Sequence, residues 1–231
     1  MKLEKDLKAS DRAYATLLGE IQAGTLKPGF VLAETEQAAR LGVSRTPARE
    51  AIQRLITDGL ARQLSPRVTV VTELDAVHVA QLFAVRQGLE TVLVHAAAAT
   101  AAEDPQARRV FAELAEKFRA PQVTSETERE NYYALVAELD AVLDAAVKNP
   151  YLAAALAKIR THLVRVRKTA KDQPERLAKS AQEHYEIIRA IALGDGNLAE
   201  NALKIHLHHA REAALEALAH TPQLPKTKGA A

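Results

Sequence analysis

The 231-residue chain has no cysteine and no tryptophan, and it holds only five Tyr and four Phe. Without cysteine there is no disulfide, thiolate zinc finger, iron–sulfur ligation or cysteine nucleophile, so any metal site must be built from His and carboxylates. Gly and Pro number nine each, which with abundant Ala favours helices packed closely through small side chains, a mainly α fold. No apolar run approaches the length of about 18 residues that a membrane span needs, and the first dozen residues are charged with no apolar stretch behind them. Neither a bilayer anchor nor a secretory signal is read, and a cytoplasmic protein is expected. Charge of one sign is also lacking, since 31 Lys+Arg face 29 Asp+Glu. What is present is 48% hydrophobic and 26% charged residues, enough apolar surface to offset chain entropy and argue against global disorder.

The small positive excess is unevenly placed. Residues 1–72 carry 11 Lys+Arg and 8 Asp+Glu, whereas residues 73–231 carry 20 and 21. Within the front part, Arg40, Arg45, Arg49, Arg54, Arg62 and Arg67 oppose only Glu50 and Asp58. Arginines without lysines suit phosphate or base-edge recognition, because the planar guanidinium forks onto paired acceptors.

Apolar periodicity predicts helices over 10–23, 34–40 and 44–58, with Lys27-Pro28-Gly29 as a turn and Gly24, Gly42 and Gly59 as stops. Ser44 is placed to cap the third helix, with Pro47 in its first turn, where a missing N–H costs little. Two β-prone runs follow, 60–64 and 68–72, separated by Ser65-Pro66-Arg67. From residue 75 onward the pattern is helical: 76–100, 105–119, 125–148, 150–171, 174–193 and 198–220. Short connections between them predict an antiparallel bundle. The resulting organisation is 1–73 as a winged helix-turn-helix, 74–220 as an all-helical domain, and 221–231 as a flexible tail.

A helix, a tight turn, a second helix opening with Ser44-Arg45-Thr46 and a two-stranded ribbon make the layout of a DNA reader. The start of that second helix offers N–H groups and a positive dipole end to a phosphate, and Arg45 and Arg49, one turn apart, share a face suited to guanine edges. The same spacing also fits a solvated face, so the order of elements carries the argument. Leu26 through Thr72 resembles the GntR family of bacterial repressors in Ile21, Gly24, Leu26, Pro28-Gly29, Leu32, Leu41-Gly42-Val43-Ser44-Arg45-Thr46-Pro47, Arg49-Glu50-Ala51, Arg54-Leu55 and Gly59-Leu60. The resemblance implies DNA contacts by Ser44, Arg45, Thr46 and Arg49, with Arg67 at the wing tip. The wing departs from the family in having Val68 where a glycine is usual.

The remainder resembles the FCD ligand-sensing domain of the FadR-type branch, through Arg86, Leu89-Glu90, Asn149-Pro150-Tyr151-Leu152, Ser180, Glu183-His184, Ile188, Ala190-Ile191, Gly194-Asp195, Ala199 and His206-Leu207. That resemblance implies a divalent metal (zinc, nickel or manganese) inside the bundle, held by an Asp and a His four residues apart and by one His from each of two later helices. His184 and His206 match the later pair. An ungapped count back from Asn149 puts the earlier two at Val136 and Asp140, giving Asp140, His184 and His206 as the metal set. A second register would use Asp140 and Asp144 after a one-turn deletion. Buried histidines hydrogen-bonded to carboxylates are the plain alternative. His208 and His209 read as surface residues, and His162 as either cavity-lining or packed. For a small-molecule effector, an organic or sugar acid, the candidate cations are Arg86, Arg160 and Arg165, each of which also reads as a surface or interdomain charge.

The function expected is a homodimeric, effector-controlled regulator, a repressor in keeping with the family, that reads a palindromic operator in double-stranded DNA. Its partners would be DNA, effector and a second copy, with no membrane. A metal-dependent hydrolase on Asp140, His184 and His206 lacks a recognisable nucleophile or acid/base pair, so no enzyme is expected. A helical protein-interaction scaffold is the other alternative.

Overall fold

A computed structural model describes residues 9–121, 123–169 and 174–220; the predicted tail, 221–231, lies outside them. The described chain folds as two compact units, one running to Asp75 and joined by Arg160–Lys168, the other built from the rest.

The first unit contains α1 (Ala9–Ala23), α2 (Glu34–Leu41), α3 (Arg45–Thr57), β1 (Ala61–Ser65) and β2 (Val68–Val71). Ala13, Leu17 and Ile21 recur once per turn of α1 and are buried, so the helix presents one apolar face to the core. Ala48, Ala51, Ile52 and Leu55 do the same on α3. They meet in a core completed by Leu26, Leu32, Leu60 and Val71. Gly42, at φ 64°, ends α2 in the left-handed region. There the N–H of Val43 returns to the Ala38 carbonyl at 3.0 Å, a reversal that favours glycine. β1 and β2 pair antiparallel with Ala61 opposite Val71 and a register irregularity between Gln63 and Ser65.

The segment before α2 does more than turn. Gly29 donates to the Val71 carbonyl at 2.9 Å, Val71 donates back to Phe30, and Leu32 donates to Thr69 at 2.8 Å, with Val31 bridged to Val70. A short extended stretch thus covers the free edge of β2, where the sequence pattern predicts only a turn.

The second unit comprises α4 (Ala76–Glu103), α5 (Pro105–Phe118), α6 (Glu126–Val147), α8 (Pro174–Ala192), α9 (Gly196–Ala219) and the first ten residues of α7 (Pro150–Thr169). α4 packs on α5, α6, α8 and α9, and α8 packs on α5 and α9. Local signals set the boundaries. Asp104 accepts from Gln106 N–H ahead of α5, and Asn149 accepts from the N–H groups of Tyr151 and Leu152, both at 3.1 Å. Ser125 and Glu128 form a reciprocal capping box at α6, which satisfies otherwise orphaned donors. The Glu128 carboxylate receives the Ser125 and Thr124 N–H groups and the Thr124 hydroxyl. Those bonds, the Ser125 N–H first, pull its pKa down to about 2.

Residues Arg160–Lys168 of α7 belong with the first unit, and the reason is specific bonding. His162 Nε2 lies 2.7 Å from the Asp58 carbonyl, and Arg165 donates to the Thr72 hydroxyl at 3.1 Å and to the Thr72 carbonyl at 2.5 Å. Gln22 donates to the Thr161 carbonyl at 3.3 Å. Helical periodicity identifies α7 as one helix but does not say which core each of its halves joins.

Candidate nucleic-acid interface and the bundle's polar cluster

On α3 the residues between the buried stripe include Arg45, Thr46, Arg49, Glu50 and Gln53, all exposed. Ser44 stands at the N-cap with extended geometry, φ −73° and ψ 169°, and its side chain makes no cap hydrogen bond. The first turn of α3 carries no acidic residue. The positive end of the helix dipole is therefore not offset locally, and the Ser44 hydroxyl is not spent on its own helix.

The six clustered arginines divide into two sets. Arg40 forks onto both oxygens of Glu20, at 2.5 and 2.7 Å, and donates to Gln37; the Glu20 bond raises its pKa. Arg54 pairs with Asp11 at 2.6 Å and lies over the Tyr14 ring at 4.1 Å. Tyr14 in turn donates to Asp58 at 2.7 Å; burial, reinforced by Asp58, pushes its pKa up to about 12. Arg40 and Arg54 fasten the unit together. Arg49 differs: Glu34 takes only its Nε, at 3.0 Å to each oxygen, and the side chain stays 59% exposed. Among the described residues its two terminal nitrogens have no partner, and Arg45, Arg62 and Arg67 are exposed and enter no ion pair. Four guanidinium groups thus stay in solvent on α3 and the ribbon. Of these, Arg62 belongs to the basic cluster read from the sequence but not to the expected DNA contacts; it is exposed opposite Val70 in the ribbon register. Gln53, about two turns beyond Arg45 on the same helix, was also passed over.

In the second unit, the structure brings His184 and His206 together, ring centroids 4.4 Å apart. Both are buried. His184 Nδ1 lies 3.0 Å from the Tyr132 hydroxyl, which donates to Ser180 at 2.8 Å. His206 Nδ1 lies 2.9 Å from Glu183, His209 Nδ1 lies 2.7 Å from the same carboxylate, and Arg176 pairs with it at 2.9 Å. His209 is bonded to Glu183 with its side chain still 33% exposed, and His208 is exposed.

Among the described residues no group of three or more His, Asp or Glu side chains that could hold a metal ion is found. α6 turns Tyr132, Val136, Leu139 and Leu143 into the core. The Tyr132 hydroxyl lies against His184, and the half-buried Asp140 falls one turn beyond Val136 on the same stripe of α6. Val136, at the other expected ligand position, is buried and supplies no donor atom.

Of the expected effector cations, Arg86 and Arg165 are hydrogen-bonded to protein groups. Arg86 is buried, bonded to Glu90 at 2.7 Å and near the Phe83 ring. Arg165 is held by Thr72, and burial lowers its pKa; Arg160 opens the same stretch of α7, in the first unit. None of the three is bonded to Glu183, the carboxylate at the centre of the cluster. Arg176, Tyr132 and Glu183 were the residues sequence reasoning missed as site groups, although Arg176, Ser180 and His184 recur at every fourth position of α8.

No helix among the described residues is long and apolar enough to cross a membrane. The model of the bacterial regulatory proteins of the gntR family matches residues 9–71, and that of the FCD domain matches residues 81–209. An HTH-type transcriptional regulator in an unstable DNA locus of Streptomyces ambofaciens is 30% identical over 206 residues, 89% of this chain and 84% of that protein. The HTH-type transcriptional repressor RspR of Escherichia coli is 22% identical over 88% of this chain and 87% of its own. Among solved structures, E. coli McbR/YncC superposes with a TM-score of 0.68 at 20% identity, covering 91% of this chain and 98% of that one. A GntR regulator from Rhodococcus sp. RHA1 gives 0.65 at 22%, covering 92% and 99%. The chain belongs to the GntR-type transcriptional regulators that join an HTH DNA-binding domain to an FCD domain, a family of regulators and not of enzymes.

Proposed function

We propose that the protein is a cytoplasmic, homodimeric repressor in which Ser44, Arg45, Thr46 and Arg49 read an operator half-site and Arg67 contacts the flanking backbone. The observation that carries this reading is the exposed set of guanidinium groups at an uncapped helix start. Arg49 is steadied by Glu34 through Nε, which leaves its terminal pair for a guanine edge or a phosphate. Bidentate recognition of this kind needs a fork that is oriented but not consumed. A second copy supplies the second half-site, and two-fold symmetry makes the operator a palindrome. Support for a dimer comes from α4, where Val77, Val85 and Val92 are 63%, 52% and 54% exposed. The repressor reading follows the name of the E. coli relative.

Occupancy of the helical unit by a small organic acid shifts operator affinity by binding two arrangements of the protein unequally. The test is fluorescence anisotropy with a palindromic duplex selected in vitro by the full chain. Affinity is expected to fall linearly with salt on logarithmic axes as counterions are released. Failure to enrich any duplex, or salt-independent binding, would count against the proposal.

A further inference from the structure

Arg49 is tied through one nitrogen only, and the group that ties it is an acid on a different helix. Both oxygens of Glu34, fifteen residues away in sequence, lie 3.0 Å from Arg49 Nε. Glu34 is itself well placed. It is the first residue of α2 and follows closely on the buried Leu32, whose N–H is fixed on the Thr69 carbonyl at 2.8 Å. On its other side the Gln37 N–H closes on the Ala33 carbonyl at 2.9 Å. The edge stretch along β2 and the first turn of α2 thus hold the backbone on both sides of this carboxylate, whose side chain is 31% exposed. With Nε occupied, the guanidinium keeps a single two-pronged edge, Nη1 with Nη2, for an incoming acceptor.

An exposed ion pair contributes little to stability, so holding the fold is a weak account of this one. Its electrostatics bear on DNA instead. The pair carries no net charge, and any group that reaches Nη1 and Nη2 stands one guanidinium away from a carboxylate. A phosphate, itself anionic, is repelled across that distance, whereas the N7 and O6 acceptors of guanine are uncharged. We infer that Glu34 is a positioning residue that sets sequence specificity. By discouraging contacts to the phosphate backbone, it makes Arg49 the reader of one guanine in each half-site. Discrimination then comes from a repulsive element as well as an attractive one. The inference rests on the operator reading above, in which Arg49 meets DNA.

The experiment uses the full chain with the duplex selected in vitro, its single-base-pair variants and a scrambled duplex, followed by anisotropy across a salt series. Glu34→Gln removes the charge and keeps the size of the side chain; Glu34→Ala serves if that variant does not fold. The variant should bind the scrambled duplex at least about threefold more tightly and steepen its logarithmic salt slope by about 1, because Arg49 gains a phosphate. At one G·C pair in each half-site the penalty for substitution should shrink at least about threefold, with the other pairs unaffected. In an Arg49→Ala background the same Glu34 change should do nothing at that pair, as a residue acting through Arg49 requires. Glu36→Gln, which removes an equal charge from an exposed position about 200° round α2, should leave the penalty as in the parent. The inference is overturned if Glu34→Gln keeps the parent's penalties and salt slope, if it weakens every duplex alike, if its effect survives without Arg49, or if Glu36→Gln reproduces it. A parent protein that selects no duplex would refute the operator reading and this inference together, so the two failures are distinguishable.

Discussion

The two units use arginine in opposite ways. On α3 and the ribbon, Arg45, Arg49, Arg62 and Arg67 keep charge in solvent with at most one nitrogen committed to an ion pair, which suits a partner that arrives from outside carrying phosphates. In the helical unit, Arg86 and Arg176 are sunk among side chains and tied to Glu90 and Glu183. An exposed ion pair contributes little to stability and is readily exchanged, whereas breaking a buried one leaves an uncompensated charge. The first arrangement is therefore available for binding, and the second mostly holds structure. Arg176 Nη1 is buried with no hydrogen-bond partner among the described residues.

Substitutions separate the two uses. The largest effect is expected from Arg45→Ala and Arg49→Ala, each costing about 1–3 kcal/mol of specific DNA binding, read by anisotropy, with unchanged helical content. Retained operator affinity in both variants would dissolve the distinction between the regions. Next, Tyr132→Phe removes the hydroxyl shared by Ser180 and His184 and should cost about 1 kcal/mol of stability in denaturant titration. It should leave DNA affinity in place, and a loss of operator binding equal to that of Arg45→Ala would argue that the cluster is not separate from reading. Arg67→Ala should be milder, weakening binding to all sequences alike and lowering the salt slope by about 1. Sequence-selective loss instead would make the wing a base reader.

The smallest effect concerns pH. Glu128 in the folded protein titrates at about 2, against an ordinary value of 4.5. Its capping bonds therefore stabilise the fold above pH 4.5, and that contribution fades as pH falls toward 2. Glu128→Gln should flatten the acid limb of the stability curve over this window, and an unchanged limb would deny the cap any part in acid stability.

The reader was legible because its chemistry is contiguous. Ser44 to Arg49 fall within about two helical turns, and the glycine before them marks the turn, so spacing alone places Arg45 and Arg49 on one face. The small edge stretch at Gly29–Leu32 was not legible, since three or four residues after Pro28 carry too little periodicity to distinguish a bridge from a loop. The bundle cluster draws Tyr132 from α6, Glu183 and His184 from α8, and His206 and His209 from α9. Helical spacing shows that Tyr132 and Val136 share a stripe, but not which of them meets His184. Likewise Arg165, between the buried Leu163 and Val166, reads as a charge on α7 until Thr72 is seen to receive it.

Hydrogen–deuterium exchange of the full chain, with and without the selected palindromic duplex, tests most directly whether the start of α3 meets DNA. New protection is expected at residues 44–49, with a smaller effect at the 65–68 ribbon tip. Protection confined to α4–α9, with the 44–49 amides exchanging as fast as in the free protein, would contradict it.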